Sequence, residues 1–338
     1  MSPDEAVPVK GRLSLDAYCR GVLAGDRGVL SRAITLIESR RADDRERAEA
    51  LLNALLPHAG RAHRIGITGV PGVGKSTLID SLGSRLIAAG HRVAVLAVDP
   101  TSVRTGGSIL GDKTRMPHLA ASEAAYIRPS PSGGALGGVA RTTRETMLLC
   151  EAAGFDPVIV ETVGVGQSEV MVAEMVDLFL VLVLPGAGDE LQGLKKGVLE
   201  LADIIAVNKA DGDNLHRARQ AARHYENALR ILEPAHPDWR TPVLLVSAKE
   251  GRGLDDLWRT VTEHRRLFTA SSAFAARRRE QRIRWFHSLL DERLERLLRE
   301  HPVVARRLPE IERQVEEGTV TPTLAVSRIV ELFLRKGG

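Results

Sequence analysis

Hydrophobic and polar residues alternate with two different periods along this chain of 338 residues. Over residues 13–56 apolar side chains recur every three or four positions, a spacing that predicts helices. The pattern breaks at residues 25–26 and 42–44, where aspartates suit helix N-caps. Over residues 65–268 nearly continuous apolar runs alternate with helical stretches, and the helical spacing returns from Ala273 onward.

The apolar runs of the middle region are typical of strands that are buried on both faces of a parallel sheet. The candidate strands are residues 64–68, 93–98, 157–161, 178–184, 204–208 and 243–247. The pattern therefore predicts an α/β fold with an open, doubly wound and mostly parallel sheet (63–270). An N-terminal helical extension (1–62) precedes it, and a C-terminal helical arm (271–338) follows it. Ligands of such sheets bind at the C-terminal ends of the strands.

The C-terminal arm carries an apolar stripe at helical spacing, with glutamates and arginines between its members. The stripe comprises Ile283, Phe286, Leu290, Leu294 and Leu297. This surface must be buried either against the core of the same chain or against a second copy. Because the arm lies beyond a complete α/β domain, we favour self-association through it.

Composition disfavours several classes of protein. The formal net charge is only +4 and the arginines are spread along the chain, so we expect no nucleic-acid partner. The two cysteines, Cys19 and Cys150, lie far apart and suggest neither a zinc ribbon nor a disulfide framework. The chain has no apolar run of about 18 residues and no secretory h-region, so we expect no membrane segment and a cytoplasmic location.

The sequence G-V-P-G-V-G-K-S-T at 69–77 matches the phosphate-binding loop pattern G-x-x-x-x-G-K-[ST], between a predicted strand and a predicted helix. The loop comprises Gly69, Val70, Pro71, Gly72, Val73, Gly74, Lys75, Ser76 and Thr77. Glycines let successive backbone N–H groups turn towards an anion. Lys75 can then reach the β- and γ-phosphates of a nucleotide, and the Ser76 hydroxyl can bind Mg²⁺. The sequence therefore predicts a nucleotide-binding P-loop.

The sequence N-K-A-D at 208–211 follows a predicted buried strand and selects guanine. The Asp211 carboxylate can accept hydrogen bonds from guanine N1–H and the 2-amino group, whereas adenine offers no such pair of donors. The Lys209 stem can lie on the base, and Asn208 can brace the loop. Ser247, Ala248 and Lys249 follow the next strand and suit the companion loop, in which a backbone N–H meets guanine O6. The predicted nucleotide is GTP.

The sequence V-I-V-E-T-V-G at 158–164 contains E-x-x-G in place of the usual D-x-x-G. Glu161 at this strand end would hold Mg²⁺, through water because its side chain is the longer one, and the Gly164 N–H can meet the γ-phosphate. A water-orienting glutamine lies directly after this glycine in small GTPases. Gln167 comes three residues after it, which disfavours a catalytic role for Gln167.

Three further loops have the glycine content of switches. Asp99 ends the second predicted strand, and Asp112 lies in the polar stretch after it, which suits a mobile loop that closes on Mg²⁺. A turn or N-cap role before Pro100 is the alternative for Asp99. Residues 129–138 and 185–196 are also glycine-rich, but their spacing does not define their chemistry.

Four motifs together resemble the MeaB/ArgK/MMAA family of SIMIBI-class P-loop GTPases. They are D-P-T-S-V-R-T-G-G-S-I-L-G-D-K-T-R-M at 99–116, R-P-S-P-S-G-G-A-L-G-G at 128–138, E-T-V-G-V-G-Q-S-E at 161–169 and P-G-A-G-D-E-L-Q-G-L-K-K-G at 185–197. The resemblance implies a homodimeric GTP hydrolase that acts as chaperone of the B12-dependent methylmalonyl-CoA mutase. Such a chaperone gates loading of adenosylcobalamin, protects the mutase and ejects damaged cofactor, and we expect no cobalamin bound to it directly.

The resemblance also implies roles for individual residues. Asp99, Asp112 and Glu161 would form the Mg²⁺ side of the site with Ser76. Lys195 would take part in hydrolysis stimulated by the partner, so that Lys75, Asp112, Glu161 and Lys195 form the implied catalytic set.

Three other functions compete with this one. The client could be another B12-dependent acyl-CoA mutase. An ATP-dependent kinase or transport ATPase is disfavoured by N-K-A-D. A metallochaperone GTPase for nickel enzymes would need a histidine-rich tract or a C-x-x-C cluster, whereas the ten histidines here are scattered.

Overall fold

A computed structural model describes residues 13–39, 41–98, 114–129, 136–162, 164, 168–186, 196–232 and 236–334. The chain divides into two compact units, Met1–Arg278 and Arg279–Gly338. The predicted three-part division at residues 62 and 270 stays a prediction. Within the described residues, no helix is both long and apolar enough to cross a membrane.

The N-terminal extension is helical, as predicted. It contains α1 (Leu15–Leu23), α2 (Arg27–Glu38), α3 (Ala42–Leu55) and a 3₁₀ turn (Leu56–His58). The Asp26 side chain caps α2 by accepting hydrogen bonds from the next turn, including one of 2.7 Å from the Gly28 N–H. At the second break the capping prediction is wrong, because α3 already begins at Ala42 and its N-cap is Arg41. Asp44 therefore lies in the first turn of α3, where it accepts a hydrogen bond from Ser39.

The first unit is built on a seven-stranded sheet in the order β3-β2-β4-β1-β5-β6-β7, and every described pair of neighbours is parallel. The strands are β1 (Arg64–Gly69), β2 (Val93–Val98), β3 (Ala125–Arg128), β4 (Val158–Thr162), β5 (Leu178–Val183), β6 (Ile204–Val207) and β7 (Val243–Leu245). The predicted doubly wound α/β fold is confirmed. Only β3, at one edge of the sheet, lies outside the predicted strands.

Helices cover both faces of this sheet. They are α4 (Lys75–Ala88), α5 (Pro117–Ala121), α6 (Leu136–Ala152), α7 (Ser168–Ala173), α8 (Lys196–Glu200), α9 (Asn214–Leu229) and α10 (Leu254–Ala270). Alternate residues of β5 pack into different apolar cores: Leu180 lies with α4 and α10, and Phe179 lies with α6, α9 and the N-terminal helices. Burial on both faces explains why the strands are continuous apolar runs.

A buried ionic network closes the N-terminal edge of the sheet, opposite the P-loop. Arg278 donates two hydrogen bonds, of 2.7 and 2.6 Å, to the carboxylate of Asp177, which directly precedes β5. Arg277 likewise contacts Asp203, which directly precedes β6. Arg64 pairs with Glu151 at 2.6 Å. The last residues of the first unit are thereby fixed to the residues that precede β5 and β6.

The C-terminal region is helical, with α11 (Ala273–Glu300), α12 (Pro302–Glu316) and α13 (Pro322–Leu334). Within the second unit, Val304, Ile311 and Ala325 are buried where α12 and α13 pack together. The predicted stripe of α11, from Ile283 to Leu297, has relative exposures between 41% and 56% in the single chain.

Candidate nucleotide-binding site

The P-loop joins β1 to α4 at the C-terminal edge of the sheet, as the sequence predicts. Gly74 is the N-cap of α4 and has a left-handed backbone with φ of 97°. A Cβ at this position would lie 2.6 Å from Nδ2 of Asn208, so only glycine fits. Val73 and Lys75 are buried, whereas Pro71, Gly72 and Thr77 are not.

Lys75 is buried under the loop that precedes it. Its ammonium donates hydrogen bonds to the carbonyl oxygens of Gly69 at 2.7 Å and Val70 at 3.3 Å. Burial lowers the pKa of Lys75, and the negative charges of Glu161 and Glu169 partly oppose that shift. The cation therefore lies inside the phosphate cradle, close to where an anion would bind.

Ser76 and Glu161 meet beside this lysine. The Ser76 hydroxyl donates a hydrogen bond of 2.8 Å to Oε1 of Glu161. Strand register brings them together, because Glu161 of β4 pairs with Ile67 of β1 and with Ala97 of β2. A hydroxyl and a carboxylate oxygen at this distance are the hard donors that Mg²⁺ prefers, so the pair fits a magnesium ion.

The backbone after β4 passes directly against the P-loop. Gly164 has φ of 85°, and a Cβ there would lie 2.2 Å from the carbonyl oxygen of Gly69 and 3.3 Å from Nζ of Lys75. Any side chain at this position would collide with the phosphate cradle. This close approach explains the glycine of the E-x-x-G motif.

Asn208 connects three motifs of the sequence. Its Nδ2 donates to the carbonyl oxygen of Val73 in the P-loop at 2.8 Å. Its Oδ1 accepts from the backbone N–H of Ala248 at 3.1 Å. The bracing contact that the sequence suggested is therefore present, and it extends to the companion loop.

The remaining residues of the guanine motifs lie around this asparagine. The Ser247 hydroxyl donates a short hydrogen bond to Oδ2 of Asp211, which fixes one side of that carboxylate. Lys209 is exposed and has a left-handed backbone with φ of 59°, and Lys249 is also exposed. The two loops are joined by a backbone bond of 3.0 Å from Ala210 N–H to Val246 O.

Several predicted residues lie outside the described part of the chain, namely Asp99, Asp112, Gln167 and Lys195. Their roles stay predictions. Among the residues that the structure describes, no group of three or more histidine, cysteine, aspartate or glutamate side chains could hold a metal ion. Of the glycine-rich loop at 129–138, residues 136–138 form the start of α6.

Sequence reasoning missed some residues around the site. Glu169 in the first turn of α7 is buried, and its negative charge raises the pKa of Lys75 against the effect of burial. The Thr162 hydroxyl donates to that of Thr68 at 2.7 Å between the ends of β4 and β1. Ser81 of α4 donates to the carbonyl oxygen of Ala248 at 2.7 Å. The signal for Glu169 was its place in the E-T-V-G-V-G-Q-S-E motif; the others have no signal in the sequence.

Comparison with known proteins identifies the family of this site. Residues 30–302 match the family described as "Methylmalonyl Co-A mutase-associated GTPase MeaB". The chain is 59% identical over 321 residues to a putative GTPase of Caulobacter vibrioides, covering 95% of this chain and 98% of the relative. It is 42% identical to the mitochondrial methylmalonic aciduria type A homolog of Mus musculus, over 97% of this chain and 82% of the relative.

Among solved structures, the chain is similar to a protein named LAO/AO transport system kinase. The TM-score is 0.77 at 38% sequence identity, covering 96% of this chain and 99% of the other. The family match covers more than half of the chain, and the relatives match nearly all of it. This protein therefore belongs to the MeaB family of methylmalonyl-CoA mutase-associated GTPases.

Proposed function

We propose that this GTPase binds and hydrolyses GTP to gate the loading of adenosylcobalamin into methylmalonyl-CoA mutase, and to protect and reactivate that enzyme. One observation carries the GTP part of the proposal. Asn208 joins the P-loop to both guanine motifs at one edge of the sheet, so that phosphate and base would be held by a single braced surface. The mutase part rests on the family to which the chain belongs.

In this proposal the P-loop backbone and Lys75 hold the β- and γ-phosphates. When the nucleotide binds, Nζ of Lys75 exchanges its two carbonyl partners for phosphate oxygens, with which a buried ammonium interacts more strongly. Gly164 lies close enough to the cradle to present its N–H to the γ-phosphate. The Asp211 carboxylate, which the Ser247 hydroxyl holds in place, accepts hydrogen bonds from the N1–H and 2-amino groups of guanine.

Ser76 and Glu161 would hold Mg²⁺, Glu161 through water, with Asp99 and Asp112 completing that side. A bound Mg²⁺ supplies charge neutralisation as negative charge develops on the phosphates. Catalysis by such a site comes mainly from positioning and charge stabilisation. Lys75, Asp112, Glu161 and Lys195 form the proposed catalytic set, and Lys195 couples hydrolysis to the bound partner.

The proposal includes a homodimer built on the C-terminal arm. The apolar stripe of α11 remains exposed in the single chain, and a second copy would bury it.

We propose a cytoplasmic location for the protein. We also propose that it binds no cobalamin directly.

The first test measures GTP turnover by the purified protein, alone and with cobalamin-loaded methylmalonyl-CoA mutase. The same assay is run on Lys195→Ala, with Lys196→Ala as the control at the neighbouring lysine. Stimulation of wild type and Lys196→Ala, but not of Lys195→Ala, is the expected result. Unchanged turnover in a mixture that plainly forms a complex would contradict the coupling. Absence of a complex would point to another B12-dependent mutase as client.

The similar solved structure is named a transport system kinase, which favours one alternative, an ATP-dependent kinase or transport ATPase. Affinities for GTP and ATP separate the two functions. Preference for ATP would overturn the assignment of Asp211 to the guanine edge.

A further inference from the structure

Helix α9 presents a stripe of arginines to solvent. Arg219, Arg223 and Arg230 are all exposed, and their spacings of four and seven residues place them on one face of the helix. The opposite face is buried in the core through Ala218, Ala222 and neighbouring residues. The only acidic residue along the exposed face is Glu226.

None of these arginines forms an ion pair or side-chain hydrogen bond with any residue that the structure describes. The exposed arginines of α10 are different: Arg259 pairs with Asp256 at 2.8 Å and Arg266 with Glu263 at 2.7 Å. Arg219 and Arg223 lie four residues apart, an arrangement of like charges that costs a helix roughly 0.2–0.5 kcal/mol. Glu226 lies on the same face four residues before Arg230, so the stripe carries three positive charges and one negative charge.

An apolar side chain lies at the C-terminal end of the stripe. Ile231 has a relative exposure of 86%, the highest among the exposed large apolar residues of the described chain, in which Leu334 follows at 71%. It is adjacent to Arg230. Arginine beside exposed apolar area is the composition that protein interfaces favour, whereas an isoleucine adds nothing to the binding of phosphates.

The shape of the stripe also bears on its ligand. From Arg219 to Arg230 the helix rises about 16 Å on a convex surface, which suits a macromolecule better than a small anion. The N-terminal end of the helix joins the guanine loop, because the N–H of Asn214 donates to the carbonyl oxygen of Asp211 at 3.0 Å. A partner bound along α9 would therefore lie beside the nucleotide.

We propose that this arginine stripe, Arg219, Arg223 and Arg230 with Ile231 at its end, is a docking surface for an acidic patch on a partner protein. The inference rests on the proposed function in one respect, since it takes the mutase client as that partner. Opposite charges at such a surface accelerate association and set orientation.

The test uses the double variant Arg219→Glu/Arg223→Glu in the full-length protein. The control is Arg259→Glu/Arg266→Glu, which changes the net charge equally on exposed arginines of α10. Circular dichroism and basal GTP turnover establish that both variants are folded. Binding to the mutase is measured by biolayer interferometry at several salt concentrations. We expect the α9 variant to bind about tenfold more weakly and with a shallower salt dependence, and the control to bind as wild type does. Ile231→Ser, which changes no charge, should weaken binding several-fold at every salt concentration.

The possible outcomes separate the inference from the proposed function. If wild type and the α9 variant bind the mutase equally, the stripe is not the docking surface, while the chaperone function stands. If wild type does not bind at all, the proposed client is wrong and the inference falls with it. If the α9 variant loses binding to vesicles of anionic lipid or to RNA but not to the mutase, the stripe serves another class of partner and the proposal is wrong.

Discussion

The side-chain Nδ2 of Asn208 donates a hydrogen bond of 2.8 Å to the carbonyl oxygen of Val73, although 135 residues separate the two in the sequence. The loop that contains the N-K-A-D motif is thus bound directly to the P-loop. Because both groups are buried, neither can exchange this partner for water. The position of the P-loop therefore depends on a residue of the N-K-A-D motif.

Replacing Asn208 by alanine should weaken binding of both GTP and GDP. The substitution leaves the Val73 carbonyl and the Ala248 N–H buried without a partner, at a cost of about 1–3 kcal/mol. We expect about tenfold weaker binding of a fluorescent GDP analogue in titrations. Asn53→Ala, an exposed position of α3, makes the same chemical change and should leave affinity unaltered. Equal affinities of the two variants would exclude the brace as a determinant of binding.

Asp211→Asn should change which base the site accepts. The new amide can keep an oxygen for the Ser247 hydroxyl, but its nitrogen would face the N1–H and 2-amino donors of guanine. Xanthine carries an oxygen at position 2 and can accept a hydrogen bond from that nitrogen. We expect affinity for GDP to fall about a hundredfold and affinity for xanthosine diphosphate to rise, measured by competition titration. A parallel fall for both nucleotides would show that the substitution only disrupts the loop.

Glu161→Gln should raise the Mg²⁺ concentration that GTP hydrolysis requires. The amide can still accept the Ser76 hydrogen bond, so the local geometry is retained while the negative charge is lost. We expect the half-maximal Mg²⁺ concentration to rise about tenfold, because neutral oxygens hold the ion less strongly than carboxylates.

Two controls accompany this change. Binding of GDP in excess chelator should be the same for wild type and Glu161→Gln. Glu174→Gln, directly after the end of α7, makes the same chemical change away from the P-loop and should leave the Mg²⁺ titration unaltered. If the Mg²⁺ titrations of wild type and Glu161→Gln superimpose, Glu161 has no part in the metal site.

The sheet was predictable because its strands are buried on both faces. Such strands are unbroken apolar runs, and the predicted ends differ from the observed ones by no more than two residues for the strands that were named. Strand β3 was not predicted because it is short, with four residues (Ala125–Arg128) at the edge of the sheet. Only two of them, Tyr126 and Ile127, are large and apolar, and the strand ends in a charged residue. A run this short is not distinguishable from a loop by its period.

The site was predictable in its motifs but not in the contacts between them. Spacing defines the P-loop and N-K-A-D, since the residues of each motif are neighbours in the chain. The bond from Ser81 to the Ala248 carbonyl spans 167 residues, and the one from Asn208 to Val73 spans 135. Contacts of this kind depend on which helices and loops the folded sheet brings together, and no local pattern encodes that.

His63 should make the fold sensitive to mild acid. The pKa of this histidine is lowered from 6.5 to about 4, mainly by burial. The positive charge of Arg265 lowers the pKa as well, whereas the negative charge of Asp177 opposes the shift. Between those two values the unfolded chain binds more protons than the folded one, so the free energy of unfolding falls as the pH is lowered. From about pH 7.5 to about pH 5 the loss is on the order of 2 kcal/mol.

His63→Leu removes this titration, whereas His58→Leu changes an exposed histidine and serves as the control. The free energy of unfolding is measured in urea at both pH values. Its fall between the two should be smaller in His63→Leu than in wild type, and the same as in wild type in His58→Leu. A pH dependence that is unchanged in His63→Leu would assign the acid sensitivity to other groups.

Arg278→Met should destabilise the first unit more than any exposed arginine substitution. Burial opposes ionisation of Asp177, and the hydrogen bonds from Arg278 outweigh it and hold the pKa of that carboxyl below its usual range. Without Arg278 the carboxylate stays buried with only part of its partners, among them the Arg64 N–H at 2.8 Å. Breaking a buried pair in this way costs about 3–5 kcal/mol.

The matched control is Arg266→Met. The Arg266 side chain is 66% exposed and paired with Glu263, so its loss should leave the free energy of unfolding nearly unchanged. Denaturant unfolding measures both. In the double variant Asp177→Asn/Arg278→Met the orphaned charge is gone, so its cost should be smaller than the sum of the two single costs. If the costs are additive, Arg278 and Asp177 do not act as a pair, and the arginine contributes through its other contacts, which include its bonds to the carbonyl oxygens of residues 60 and 62.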